Sequence, residues 1–470
     1  MIRTDDPTDL LQAVLDRTGD SFCELRYHKK RSRAVSVEKG RVDTAQITEH
    51  TGVGVRVLLD GTWGFASTDK FESGAIEAAV DDARAAARAS ASARKERIAP
   101  LPQVELARGK FDSPGFEELL NKPIDETLEM VRELESNTRG SSALIRSAGC
   151  TYSEMFEEKG IVTTDGAKAW MRLVRPEFRV MAVAEKDGEI QNFRQATGST
   201  GGWDCLFRKN SAEALAEKTA KKAIDMLSAG YAEGGRKRVL LSPQIVGILT
   251  HEAVGHTVEA DFVLSGSCAA NRIGTNVASE LVTLCDSGIS EYYPGAGGTL
   301  EVDDEGVLAQ KTTIIKDGKL VSYLHDRETA AHFGVAPTGN ARAWEYDDAP
   351  LIRMRNTYIA PGESELDEMI ANIDDGLMLD GARNGQADAN GEFMFGTAEA
   401  YPIKNGKLGK LMRGVNISGL AFDVLGTVDQ VGKDFEWDLG AGHCGKGQPA
   451  KVDAGGPWLS CEVIVGGRDA

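Results

Sequence analysis

No apolar run beside the most chemically suggestive stretch of this sequence is long enough to cross a bilayer. Val239 to Thr250 spans twelve residues and contains Ser242, Pro243 and Gln244, where a spanning helix needs about 20 apolar residues. Basic excess is missing too: 54 Lys and Arg stand against 72 Asp and Glu, a net charge of −18, which repels phosphate backbones and argues against nucleic-acid binding. The start, MIRTDDPTDL, lacks the basic-then-apolar run of an export signal, so the expected location is the cytoplasm, with no membrane contact. No CxxC pair occurs, and the seven cysteines, at 23, 150, 205, 268, 285, 444 and 461, are odd in number. That pattern reads as reduced thiols rather than a disulfide framework. Aromatics are few at 6%, and 14 prolines against 52 glycines point to many tight turns in a β-rich chain. No fixed-period repeat or low-complexity tail is present.

What is present is a folded composition, 41% hydrophobic and 27% charged over 470 residues, enough for two or three domains. The first third alternates sheet and helix, and more strands and a helix follow. In VGVRVLLDGTWGFAS, Val53, Val55, Val57 and Leu59 alternate before an Asp60-Gly61 hairpin turn. Helices are expected from Asp9 to Arg17, from Ser73 to about Ala93, from Gly115 to Ser136 and from Ser211 to about Leu227, with another turn at Asp187-Gly188. GYAEGGRKR, residues 230 to 238, lacks periodicity and marks a boundary between residues 1–235 and 236–470. Beyond it, one helix precedes short β-like runs with turns at Asp317-Gly318 and Asn405-Gly406. The expected fold class is α+β: an N-terminal sheet-plus-helices domain, then a large, mainly antiparallel β domain carrying a single motif-bearing helix.

That helix starts at Ser242-Pro243, a cap followed by proline at the first helical position, and Ile245, Val246, Leu249 and Ala253 line one face. In its later turns stands HEAVGH, residues 251 to 256, a zinc-peptidase signature whose second histidine comes one residue late. On a regular helix, histidines at i and i+5 point about 140° apart, against about 40° at i+4. Gly255 stands where a π-bulge or helix end can turn His256 back toward His251.

A catalytic zinc takes three protein ligands and a water, so a third is needed. Cys444 in GHCGKG, His325, His443, Glu259 and Asp261 are the candidates. Cys444 is preferred, because thiolate binds zinc strongly and Gly442, Gly445 and Gly447 let its loop approach closely.

With these residues in place, the chain resembles the TldD/PmbA family of metallopeptidases, in its metal-bearing TldD-like branch. GVGVRVLLDGTWGFAST resembles the family's N-terminal domain and LLSPQIVGILTHEAVGHTVEADFVLSGS its metal helix. VTLCDSG, DDEG, YLHDRETA, PTGNARAWEY, RMRNTYIAPG and GHCGKG resemble further segments in the same order. The resemblance implies one zinc per chain on His251, His256 and Cys444, with Glu252 catalytic. It also implies cleavage of unfolded or extended peptides, together with a metal-lacking PmbA/TldE-like subunit or as a homodimer. His443 stands where a small residue is expected, which leaves a fourth-ligand or proton-relay role open for it. A strand-rich domain can seat an extended peptide at a sheet edge. Two other functions remain open: a regulatory or binding subunit with a vestigial metal site, and a hydrolase of non-peptide amides.

Overall fold

The computed structural model describes residues 6–19, 22–93 and 97–467. Most of the acidic start on which the expectation of no export rests, residues 1–5, lies outside them. The fold class is α+β. One seven-stranded sheet gathers every strand before residue 200, in the order β3-β2-β1-β5-β6-β4 with β7 also on β6. These are β1 (Phe22–Glu38), β2 (Arg41–Leu59), β3 (Thr62–Thr68), β4 (Arg108–Asp112), β5 (Ile145–Thr163), β6 (Lys168–Lys186) and β7 (Glu189–Gly198). All pairings are antiparallel except β4 with β6.

One face of this sheet is apolar and covered by helices. Leu25, Val53, Val55 and Val57 meet Ile76, Val80 and Ala83 of the helix Ser73–Ala91. Val35, Tyr152 and Phe178 meet Val131 and Leu134 of the helix Ile124–Gly140, and Leu215 of the helix Ala212–Asp225, which Ser211 caps. The expected helix over Gly115 to Ser136 is two helices, Phe116–Asn121 and Ile124–Gly140. Pro123 forces Lys122 out of the helical region (ψ 125), because the proline ring clashes with a helical residue before it.

The opposite face is charged, yet equally buried. Glu24, Arg26, His28 and Lys30 alternate along β1 and none is more than 6% exposed, since this face meets the C-terminal half. Lys159 reaches Asp304 at 2.9 Å, Arg26 reaches Asp304 at 3.7 Å and Lys30 reaches Glu345 at 3.0 Å. Glu157 pairs with Arg175 and with His28, the latter at 3.2 Å. Burial pushes His28 down to about 3, whereas Glu157, which burial would raise, is held well below the usual carboxylate range by Arg175 and Lys159.

The strands after residue 229 build the remaining sheets, two of them large. In the nine-stranded sheet, Asp375–Ala387 pairs with both Gly235–Leu241 and Glu392–Lys404, so that with Leu459–Gly466 and Asn416–Leu420 five strands close into a ring. A six-stranded sheet runs through Leu284–Ser287, Asn356–Ile359 and Asp453–Gly456. Between them lies the helix starting at Pro243. Ile245, Val246, Leu249 and Ala253 share one core with Leu377, Leu379 and Phe393 of the first sheet and Leu284, Ile315 and Ile359 of the second. Ser242 is the N-cap residue, but its buried hydroxyl makes no capping hydrogen bond. This half also holds short helices that sequence reading passed over, Ala260–Leu264, Arg327–Phe333, Leu366–Ala371 and Ala421–Gly426. Seven residues at most are too few to display a helical period. Among the described residues no helix is long and apolar enough to cross a membrane.

Candidate metal centre

The motif-bearing helix is regularly α only from Pro243 to Ile248; Leu249–Gly255 is π-helical, and His256–Val258 a 3-10 turn. The His256 amide donates to the carbonyl of His251, the i→i+5 bond that defines a π turn. Residues five apart therefore share a face, and the two imidazole centroids lie 5.3 Å apart.

Gly255 permits this for a different reason from the one its type suggests. Its backbone is ordinary right-handed helix (φ −55, ψ −49), available to any residue. A β-carbon there would stand 1.9 Å from Met354 Sδ, so any larger residue must displace the side chain that fills the space beneath the turn.

Cys444 comes from the other end of the chain, on the strand His443–Lys446, which folds back through Gly447 (φ 73) onto Gln448–Lys451. Arg353, 1% exposed, fastens both strands of this hairpin: its guanidinium donates to the carbonyls of Cys444 and Gln448, each at 2.6 Å. Arg353 and Met354 thus support the cysteine and the histidine turn from one segment, roles no local sequence signal announces.

The outcome is that His251, His256 and Cys444 offer three ligand atoms within 4.8 Å of one another, the only such group of three or more among the described residues. Cys444 Sγ lies 3.1 Å from His256 Nε2. Burial alone would raise the thiol, but the adjacent imidazoles of His251 and His256 pull it down to about 4, a direction that favours the thiolate, the ligating form. His256, which burial would lower, is held up near 10 by Cys444 and Glu259. His251 is 3% exposed, and neither of its ring nitrogens has a hydrogen-bond partner, a costly state for a buried polar group. Two imidazoles, a thiolate and an unsatisfied buried nitrogen fit a zinc ion. Glu252 stands on the open side, one-third exposed, its Oε2 3.9 Å from His256 Nε2.

The other candidates stand elsewhere. The Glu259 carboxylate meets the far nitrogen of His256, Nδ1, at 2.9 Å. Asp261 binds Lys446 at 2.7 Å. His325 bonds Thr329 and packs on Phe333. His443 lies outside the ligand group, 3.6 Å from Glu177 and against Trp344, as expected when neighbours on a strand face opposite sides.

Comparison with known proteins agrees along the whole chain. Residues 23–87 match the model of PmbA/TldA metallopeptidase domain 1, residues 117–227 that of the central domain and residues 234–465 that of the C-terminal domain. A metalloprotease of Methanothermobacter thermautotrophicus is 32% identical over 98% of this chain and 99% of its own length. A metalloprotease TldD homolog of Haemophilus influenzae is 31% identical over 97% of this chain and 95% of its own. A zinc metalloprotease TldD homolog of Saccharolobus solfataricus is 28% identical over 96% and 98%. Among solved structures, TldE from Thermococcus kodakarensis superposes with a TM-score of 0.79 at 18% identity, covering 98% of this chain and 99% of that one, a likeness of fold. Full-length identity above 30% and three matching domain models lead to one conclusion: the chain belongs to the PmbA/TldD family of metallopeptidases.

Proposed function

We propose that this protein is a zinc-dependent peptidase of unfolded or extended peptides, with one zinc per chain on His251, His256 and Cys444 and with Glu252 as general base. The observation that carries the reading is the π turn, which gathers the three donors within 4.8 Å and leaves His251 unsatisfied. The zinc named in the Saccharolobus relative supports the choice of metal. Bound zinc supplies a Lewis acid that polarises the scissile carbonyl and lowers the pKa of water toward about 7. Glu252, open to solvent beside a ligand, takes a proton on its carboxylate from the attacking water and delivers it to the leaving amine.

A cleft of about 830 Å³ lies between β6–β7 and the C-terminal half and ends at Gly442, with none of His251, Glu252, His256 and Cys444 in its wall; access to the metal centre is therefore from the side on which Glu252 is one-third exposed. Residues 1–235 act as a unit that helps enclose the site carried by residues 236–470; the change of sheet falls close to this boundary, between Gly198 and Gly230. A second subunit, either PmbA/TldE-like or a second copy, would wall the groove further; the shared fold with TldE supports that kind of partner. Seven free cysteines suit a reducing cytoplasm, and the charge of −18 disfavours nucleic acid.

The test is Glu252→Gln, which keeps size and hydrogen bonding but removes the base. Zinc content and folding should persist while hydrolysis of an unfolded peptide falls at least ~10²-fold. Turnover close to that of the parent would contradict the reading.

A further inference from the structure

Behind the three ligand atoms stand two residues that the proposed reaction does not use. Glu259 is completely buried. Its Oε2 lies 2.9 Å from His256 Nδ1 and 3.1 Å from Lys446 Nζ, and its Oε1 has no partner. A buried carboxylate carries a desolvation cost of several kcal/mol unless it is paired, so these two contacts are what permit it there. Lys446 follows Cys444 by two residues on one strand and therefore points to the same side. Its ammonium also donates to Asp261 Oδ1 at 2.8 Å and to the Ile352 carbonyl at 3.0 Å. An ammonium has three N–H donors, and Glu259, Asp261 and Ile352 occupy all three, leaving none for a substrate oxygen.

We propose that Glu259 and Lys446 are a positioning pair that sets the metal affinity of this site. By accepting the proton on His256 Nδ1, Glu259 fixes the tautomer and ring orientation that aim Nε2 at Cys444. Lys446 ties that carboxylate to the strand bearing the thiolate, so the histidine turn and the cysteine hairpin are held at one separation. A carboxylate behind a metal-binding histidine both orients the ring and raises its basicity. His251 has no such partner on either nitrogen, so the geometry of the site depends on His256. The inference rests on the zinc reading above, and it goes beyond that reading in naming what governs the affinity.

The test measures zinc affinity of the full-length protein by competition with a chromophoric chelator, alongside the visible spectrum of the cobalt-loaded form and the melting temperature of the metal-free form. Glu259→Gln should weaken zinc binding about 10- to 100-fold and shift the cobalt bands. Lys446→Met should act in the same direction, and the double variant should be weaker than Glu259→Gln by no more than about threefold, because both act through one carboxylate. A lower metal-free melting temperature with unchanged zinc affinity and cobalt spectrum would show an ordinary buried ion pair and overturn the proposal. If Glu259→Gln does not fold, Lys446→Met decides alone, and parental affinity in it overturns the proposal. A parent protein that binds no zinc would instead overturn the functional reading on which the pair depends.

Discussion

The N-terminal sheet and the metal turn solve opposite problems with the same chain. The sheet is long and regular, with strands of 17 to 19 residues in β1, β2, β5 and β6, and period two assigns one face to helices and the other to the C-terminal half. The metal turn is brief and irregular, passing from α to π to 3-10 within sixteen residues, Pro243 to Val258. Regularity lets the sheet bury a whole row of charges, because they pair with one another along the face and with the half packed against it. Irregularity lets the turn do what no regular helix can, placing histidines five apart on one centre. Stability that depends on many paired groups belongs to the first region; chemistry that depends on a few positions belongs to the second.

That contrast is sharpest at Glu157, which holds Arg175, His28 and Lys159 in the buried interface. Glu157→Ala leaves the buried Arg175 guanidinium without a carboxylate, while Lys159 keeps Asp304, an expected loss of about 3–5 kcal/mol, read as a lower urea midpoint with the three metal donors still in place. A change below about 1 kcal/mol would mean that the charged face is not load-sharing in this way.

The same face has a signature in pH. His28 is depressed from 6.5 to about 3 by burial, so the unfolded chain binds its proton first on acidification. Its contribution is intact above about pH 6.5 and is lost as pH falls toward 3, roughly 3 kcal/mol by pH 4. The urea midpoint of His28→Gln should therefore fall less between pH 7 and pH 4 than that of the parent. Equal slopes would remove His28 from the account.

Gly255→Val probes the other region. The added β-carbon meets Met354 Sδ, an overpacking cost of about 1–3 kcal/mol, with zinc affinity reduced and the N-terminal sheet untouched. Met354→Ala in the same chain should restore part of the affinity. If it restores none, backbone freedom rather than space is what glycine supplies. The smallest effect is expected at Ile47 on the outer stretch of β2, 53% exposed: Ile47→Lys should change stability by less than about 0.5 kcal/mol.

How far the sequence could be read follows the same division. The hairpins at Asp60-Gly61, Asp187-Gly188, Asp317-Gly318 and Asn405-Gly406 all have both residues at positive φ, as their types demand. The turn joining β1 to β2 is Lys39-Gly40, with φ of 52 and 75, and lysine carries no such signal. Arg26 and Lys30 have the alternation of a solvated face and are buried only because Asp304 and Glu345 supply the counter-charges, and His28 between them because Glu157 of β5 does, which local pattern cannot show. At the centre, the i+5 spacing itself demanded a widened turn, and thiolate chemistry singled out Cys444. Met354 and Arg353 escaped notice because their contacts with Gly255 and Cys444 cross about 90 to 100 positions of chain and depend on shape. Glu259 was visible as an acid near the motif, but only the fold shows which nitrogen it meets.

The most direct test of the central claim, that the π turn and the distant hairpin together make one zinc site, is the zinc content of the purified protein and of Cys444→Ala. About one zinc per chain in the parent, and its loss in a variant that stays folded, is the predicted result. Full zinc occupancy in Cys444→Ala would contradict it.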